Sequence, residues 1–126
     1  MKNKQIYLIQ IEYRDCSLIR LGYTKSKKEA NNIAERFLSI LKKYKSVKDD
    51  LEEINFKRIA EYYNNPCYDD SVYIEQSREV LLKKLSTHEL NTLIKVFGKH
   101  DVLLTHKICT RFEMYIEKVK PCDLFS

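Results

Sequence analysis

Only two glycines, two prolines and no tryptophan occur in the 126 residues. Glycine loops that cradle phosphates have almost no material to form from, and no Walker-A, GxSxG or dinucleotide fingerprint is present. Long apolar runs are also missing: no stretch approaches the roughly 18 residues of a membrane span. The opening MKNKQIYLIQIEYRD is broken by Gln10 and Glu12 and precedes no small-residue cleavage site, so it does not read as a secretion signal. The four cysteines, Cys16, Cys67, Cys109 and Cys122, contain no CxxC pair. The expectation is four free thiols in a reducing cytosol. His88, His100 and His106 form neither HExxH nor HxH, and no cysteine stands at ligand spacing beside them. No metal or other cofactor is therefore expected.

What is present describes a folded chain. Hydrophobic residues make up 44% and charged residues 33%, which places the sequence among globular proteins rather than disordered ones. Its length predicts one domain with one core. The net charge of +5 is spread along the chain, so it permits an anionic partner without requiring one. Seventeen lysines against six arginines, with many Ile, Asn and Tyr, match the usage of an AT-rich genome, so the lysine excess carries little functional information.

Periodicity predicts an α+β fold. IYLIQIEY (6–13) and LIRLGYT (18–24) read as an antiparallel hairpin joined by the polar turn 14–17. Ser26-Lys27-Lys28-Glu29 has capping-box spacing. Behind it Ala30, Ile33, Ala34, Phe37, Leu38, Leu41 and Tyr44 recur as one face of an amphipathic helix. Residues 45–53 lose the pattern in charge and read as a connector. INFKRIAEY (54–62) alternates Ile54, Phe56, Ala60 and Tyr62 and reads as a third strand, giving a β-β-α-β start. Asn64 to Ser71 reads as a loop, with Pro66 pushing Asn65 out of the helical region. A helix is expected over 75–85. Ser86 to Glu89 repeats the capping-box spacing and opens another, with Gly98 where positive φ is wanted. The segment 102–119 fits both periods, and its β-branched and aromatic content favours a further strand completing the sheet.

The letters of the hairpin, Ile6-Tyr7-Leu8-Ile9 and Leu18-Ile19-Arg20-Leu21-Gly22-Tyr23-Thr24, resemble the two strands of GIY-YIG-type nuclease domains. That resemblance implies a first tyrosine at Tyr7, a second-strand position at Arg20 or Tyr23, a helix arginine at Arg36, and a Mg²⁺-holding glutamate at Glu75 or Glu79. Gln5 stands where the family has glycine, and Arg20 where it has tyrosine or lysine. Two strands and a capped helix also form an ordinary supersecondary unit, which explains the same residues without chemistry.

Two further surfaces stand out. Lys25, Lys27 and Lys28, with Lys42, Lys43 and Lys45, flank the first helix; with tyrosines they could grip single-stranded nucleic acid. A solvated helix surface is the commoner use of such lysines. The stretch 61–68 holds Tyr62, Tyr63 and Tyr68, and exposed tyrosines are enriched where proteins bind proteins. Tyr63, Tyr68, Asn64 and Asn65 are the partner-binding candidates. With no complete catalytic constellation, the reading is a small cytoplasmic binding protein with a protein partner. The expected role is a phage or mobile-element accessory protein, an inhibitor or modulator of a host complex such as a defence system.

Overall fold

A computed structural model describes residues 6–13, 18–108 and 112–119. The fold class is α+β: a three-stranded antiparallel sheet and five helices. The chain divides into two compact units. One comprises Met1–Ser39 with Cys109–Ser126; the other is Ile40–Ile108.

The first unit is built on strand order β2-β1-β3, with β1 Ile6–Tyr13 central, β2 Leu18–Thr24 and β3 Phe112–Val119. The hairpin of β1 and β2 is as the alternation predicts, and of the segment 102–119 only Phe112–Val119 is a strand, Val102 and Leu103 being helical. Central placement explains why β1 is apolar on both faces: Ile6, Leu8, Ile9 and Ile11 are all buried. A bulge at Ile9/Gln10, where Ile9 pairs with Gly22 but Gln10 with Arg20, leaves Leu21 as the extra residue. Helix α1 (Lys27–Ser46) begins behind Ser26, whose Oγ accepts from the Glu29 amide at 3.4 Å. Its Ala30 and Ala34 close on Ile9, with Tyr7, Leu21, Ile33 and Ile116 packed around them. Small alanines at the contact let helix and sheet approach closely.

The second unit is helical. It holds the end of α1, α2 (Lys48–Asn64), α3 (Ser71–Leu82), α4 (Thr87–Phe97) and α5 (Lys99–Leu103). The expected connector at 45–53 shrinks to a break at Val47. Ser46 Oγ donates to the Lys43 carbonyl at 2.6 Å, the acceptor that Val47 N–H would need to continue α1. Val47 N–H turns instead to Tyr44 O at 3.3 Å, and α2 begins at once.

The third strand expected over 54–62 is corrected: these residues lie within α2. Good helix formers are spread along α2 (Leu51, Glu52, Glu53, Lys57, Arg58, Ala60, Glu61), Asp49 and Asp50 favour the helix N-terminus, and Lys48–Glu52 and Glu53–Lys57 pair at i,i+4. The chain thus runs β-β and then five helices before its last strand. Pro66 acts as predicted. Asn65 is extended (φ −128°, ψ 111°), and α2 stops at Asn64. The helix expected from 75 starts earlier, at Ser71, because Asp69 accepts from the Ser71 amide and hydroxyl and steadies the turn ahead of it.

Helix α4 carries the full capping box. Ser86 Oγ accepts from the Glu89 amide at 3.1 Å, and Glu89 Oε1 accepts from the Ser86 amide at 2.9 Å. Gly98, at φ +94°, ends α4 and starts α5, a backbone region that a side chain would strain. The core of this unit is Ile40, Leu41, Tyr44, Leu51, Leu81, Leu85, Leu90, Leu93 and Val102 to Leu104. Each fully buried leucine contributes about 1.5–3 kcal/mol.

Candidate functional site

Helix α2 is turned with its apolar side outwards. Leu51 is buried and Ile54, Asn55, Arg58 and Glu61 are half-buried, so the inner face becomes polar beyond Ile54. The outer face carries Phe56 (72% exposed), Ile59 (37%) and Tyr63 (79%), and Tyr62 (58%), on the side of Asn55, is exposed at the helix end. Isolated exposed apolar residues are ordinary; three on one helix face, with a further tyrosine exposed beside them, form a patch of the kind that marks contact sites.

The tyrosines continue the patch inwards. Tyr62 meets Tyr63 and Tyr68 edge-on, at ring-centroid distances of 5.3 and 5.5 Å. Tyr68 stacks on Tyr73 at 6.3 Å, and Tyr73, which is buried, donates to Glu61. A line of four rings thus runs from solvent to core and stiffens the end of α2. Asn64 is exposed and bonds back to Ala60 O at 2.8 Å. Asn65 is spent on the turn: its Oδ1 accepts from the Cys67 amide at 2.9 Å, and its Nδ2 donates to Glu61. Of the four partner candidates in this stretch, Tyr63 and Asn64 face solvent, while Asn65 and Tyr68 hold the turn. Cys67 is exposed and free; Cys16, Cys109 and Cys122 lie outside the described residues.

Beneath the inner face lies a polar cluster centred on Arg58. Arg58 Nε donates to Asn55 Oδ1 at 3.0 Å. His106, at the positive φ of 56°, places Nε2 2.9 Å from Ser77 Oγ. Its buried Nδ1 has no hydrogen-bond partner among the described residues. Burial, and then the Arg58 charge, pushes the imidazole pKa down to about 4. The Tyr68 hydroxyl is buried as well; burial and the Asp70 carboxylate push its pKa up, against a smaller opposing effect of Arg58. Ser77 and a neutral His106 have the residue types of a nucleophile and a base, but Ser77 is 0% exposed and cannot meet a substrate. The pair serves packing. His88 and His100 are exposed.

The residues implied by the nuclease resemblance are distributed as follows. Tyr7 packs on the Ile9–Ala30–Ala34 side of the sheet. Tyr23 pairs with Leu8 and Arg20 with Gln10, which puts both on the opposite face. Arg36 is exposed, its Nε donating to Asn32 O at 3.4 Å, and Glu75 and Glu79 are exposed on α3. Among the described residues no three metal-ligating side chains cluster.

Among the lysines, Lys25, Lys27, Lys28, Lys42 and Lys45 are exposed, whereas Lys43 bonds Glu89 Oε2 at 2.9 Å. That contact, with the Ser86 amide second, lowers the Glu89 pKa.

Phe56 and Ile59, which share the outer face with Tyr63, were not among the sequence-derived candidates. Their signal is there in retrospect: Asp49, Glu52, Phe56, Ile59 and Tyr63 follow 3-4-3-4 spacing. No helix is long and apolar enough to cross a membrane among the described residues. No family model, no curated protein and no solved structure matches the chain significantly.

Proposed function

We propose that this chain is a non-catalytic binding protein that covers a surface of a protein partner, with the outer face of α2 as its contact surface. The exposure of Phe56, Ile59, Tyr62 and Tyr63 on one helix carries this reading. Rigid aromatic anchors give large contact area at little entropic cost, and the ring line to Tyr73 holds two of them in place. An accessory protein that inhibits or modulates a host complex, such as a defence system, would act in this way by occlusion. It requires no cofactor; Mg²⁺ enters only with the nuclease alternative.

The test is co-purification with the intact chain and with a Phe56→Ser/Tyr63→Ser variant of unchanged circular dichroism. The partner retained by the parent should fall about tenfold or more in the variant, as expected for hot-spot anchors. An unchanged set of retained proteins would remove α2 as the contact surface.

The five exposed lysines around α1 support a second reading, nucleic-acid binding by charge. It predicts a mobility shift that fades steeply with salt, and binding that is absent or indifferent to salt excludes it. For the nuclease alternative, a Mg²⁺-supplemented cleavage assay on mixed DNA and RNA, repeated with Arg36→Ala and Glu75→Ala, should show background activity throughout.

A further inference from the structure

We infer that the partner element received by α2 is a cationic amphipathic helix; this rests on the docking role of α2 proposed above. The 3-4-3-4 seam of Asp49, Glu52, Phe56, Ile59 and Tyr63 is the spacing by which one helix receives another. It spans about 21 Å along the helix axis. All five residues are exposed, so the seam is not used within its own unit.

The seam has two halves. Phe56, Ile59 and Tyr63 form an apolar C-terminal half, and Asp49 and Glu52 an acidic N-terminal half, flanked by Asp50 and Glu53. Residues 48–72 hold three cations (Lys48, Lys57, Arg58) against seven carboxylates (Asp49, Asp50, Glu52, Glu53, Glu61, Asp69, Asp70), a net of −4. The whole chain is +5, so the remaining residues carry +9. The apolar patch therefore lies in the acidic part of a basic chain.

Among the described residues Asp49 and Asp50 make no ion pair. Glu52 and Glu53 are engaged only in exposed i,i+4 pairs at 3.6 and 3.5 Å, which an incoming cation displaces easily. Nucleic acid and anionic lipid are repelled by such a rim. A helix with lysine or arginine facing Asp49 and Glu52, and leucine-like residues facing Phe56, Ile59 and Tyr63, is complementary along its length.

The probes are two synthetic helical peptides of about three heptads with identical leucine seams, one end flanked by lysines in the first and by glutamates in the second. Fluorescence anisotropy with the full chain should show the lysine peptide binding about tenfold tighter at ~50 mM salt, the gap narrowing at ~300 mM. Asp49→Lys/Glu52→Lys should reverse the preference, and Phe56→Ser should weaken the lysine peptide about tenfold. Equal binding of both peptides, lost in Phe56→Ser, overturns the cationic assignment while leaving α2 a docking face. Binding of neither peptide overturns the helical occupant, and the co-purification then judges the docking face separately. A concentration-dependent dimer of the chain alone, abolished by Phe56→Ser, assigns the seam to a second copy and also overturns the inference.

Discussion

Ser77 Oγ and His106 Nε2 lie 2.9 Å apart, joining a fully buried residue of α3 to a histidine at positive φ beyond α5. Histidine is among the residues that tolerate this backbone region, and the hydrogen bond helps hold it there. Because the ring is half-buried and faces Arg58, the site favours the neutral imidazole.

That pair makes stability sensitive to mild acid. His106 titrates at about 4 when folded and at 6.5 when free. Between those values the unfolded chain binds the proton and the folded chain does not. Its contribution is thus complete above pH 6.5 and drains as pH falls through about 4. Discounted for partial solvent exposure, the loss is about 1–2 kcal/mol. Urea unfolding of the parent and of His106→Asn, which tolerates the same φ, should show this slope in the parent alone. Parallel curves would mean that the imidazole is not the titrating group.

Tyr44 gives the opposite limb. Its hydroxyl donates to Val102 O at 3.1 Å inside the helical unit. Burial first, and Asp101 second, raise its pKa well above the usual 10.0. A folded pKa above the unfolded one means stability present below pH 10 and lost as pH rises beyond it. Tyr44→Phe should cost about 1–2 kcal/mol at neutral pH by orphaning the carbonyl, and should flatten the alkaline decline. Ultraviolet titration together with denaturation midpoints measures both, and an unchanged neutral midpoint would show that the bond adds nothing.

The capping box of α4 is also open to test. Ser86→Ala should lower stability by about 1 kcal/mol. Lys43→Ala, which removes a half-exposed partner of Glu89, should cost no more than about 0.5 kcal/mol. A larger effect from Lys43 than from Ser86 in thermal denaturation would reverse this ranking.

Elements whose inner faces are apolar were legible in the sequence. The α1 stripe, the Ser86–Glu89 box and the stop at Pro66 each depend on neighbours within a few residues, and each is found as expected save Leu38, which is exposed rather than part of the buried stripe. Helix α2 was not legible by period, because after Leu51 and Ile54 its inner face is Asn55, Arg58 and Glu61, while Phe56, Ile59 and Tyr63 face solvent. A pattern reader assumes that apolar means inward. Propensity and i,i+4 charges held the right answer, and the alternation of Ile54, Phe56, Ala60 and Tyr62 competed with it. The same inversion divided the candidate site. The tyrosine stretch pointed to Tyr63, while Phe56 and Ile59 were absorbed into an expected strand. The roles of Asn65 and Tyr68 in the turn depend on Glu61, Cys67 and Tyr73 positions that only the folded chain supplies.

The inversion itself yields the sharpest stability contrast. Leu51 is 1% exposed on the inner face of α2, five residues from Phe56 on the outer face. Leu51→Ala should cost about 2–4 kcal/mol, since its neighbours collapse only partly into the space left. Phe56→Ser should change stability by no more than about 0.5 kcal/mol, because almost nothing is packed against the ring. Were 54–62 a strand with Phe56 on its core side, the Phe56 substitution would be the costly one. Chemical denaturation of the two variants decides between these geometries, and a loss above about 2 kcal/mol for Phe56→Ser would place that ring in a core and remove it from any docking face.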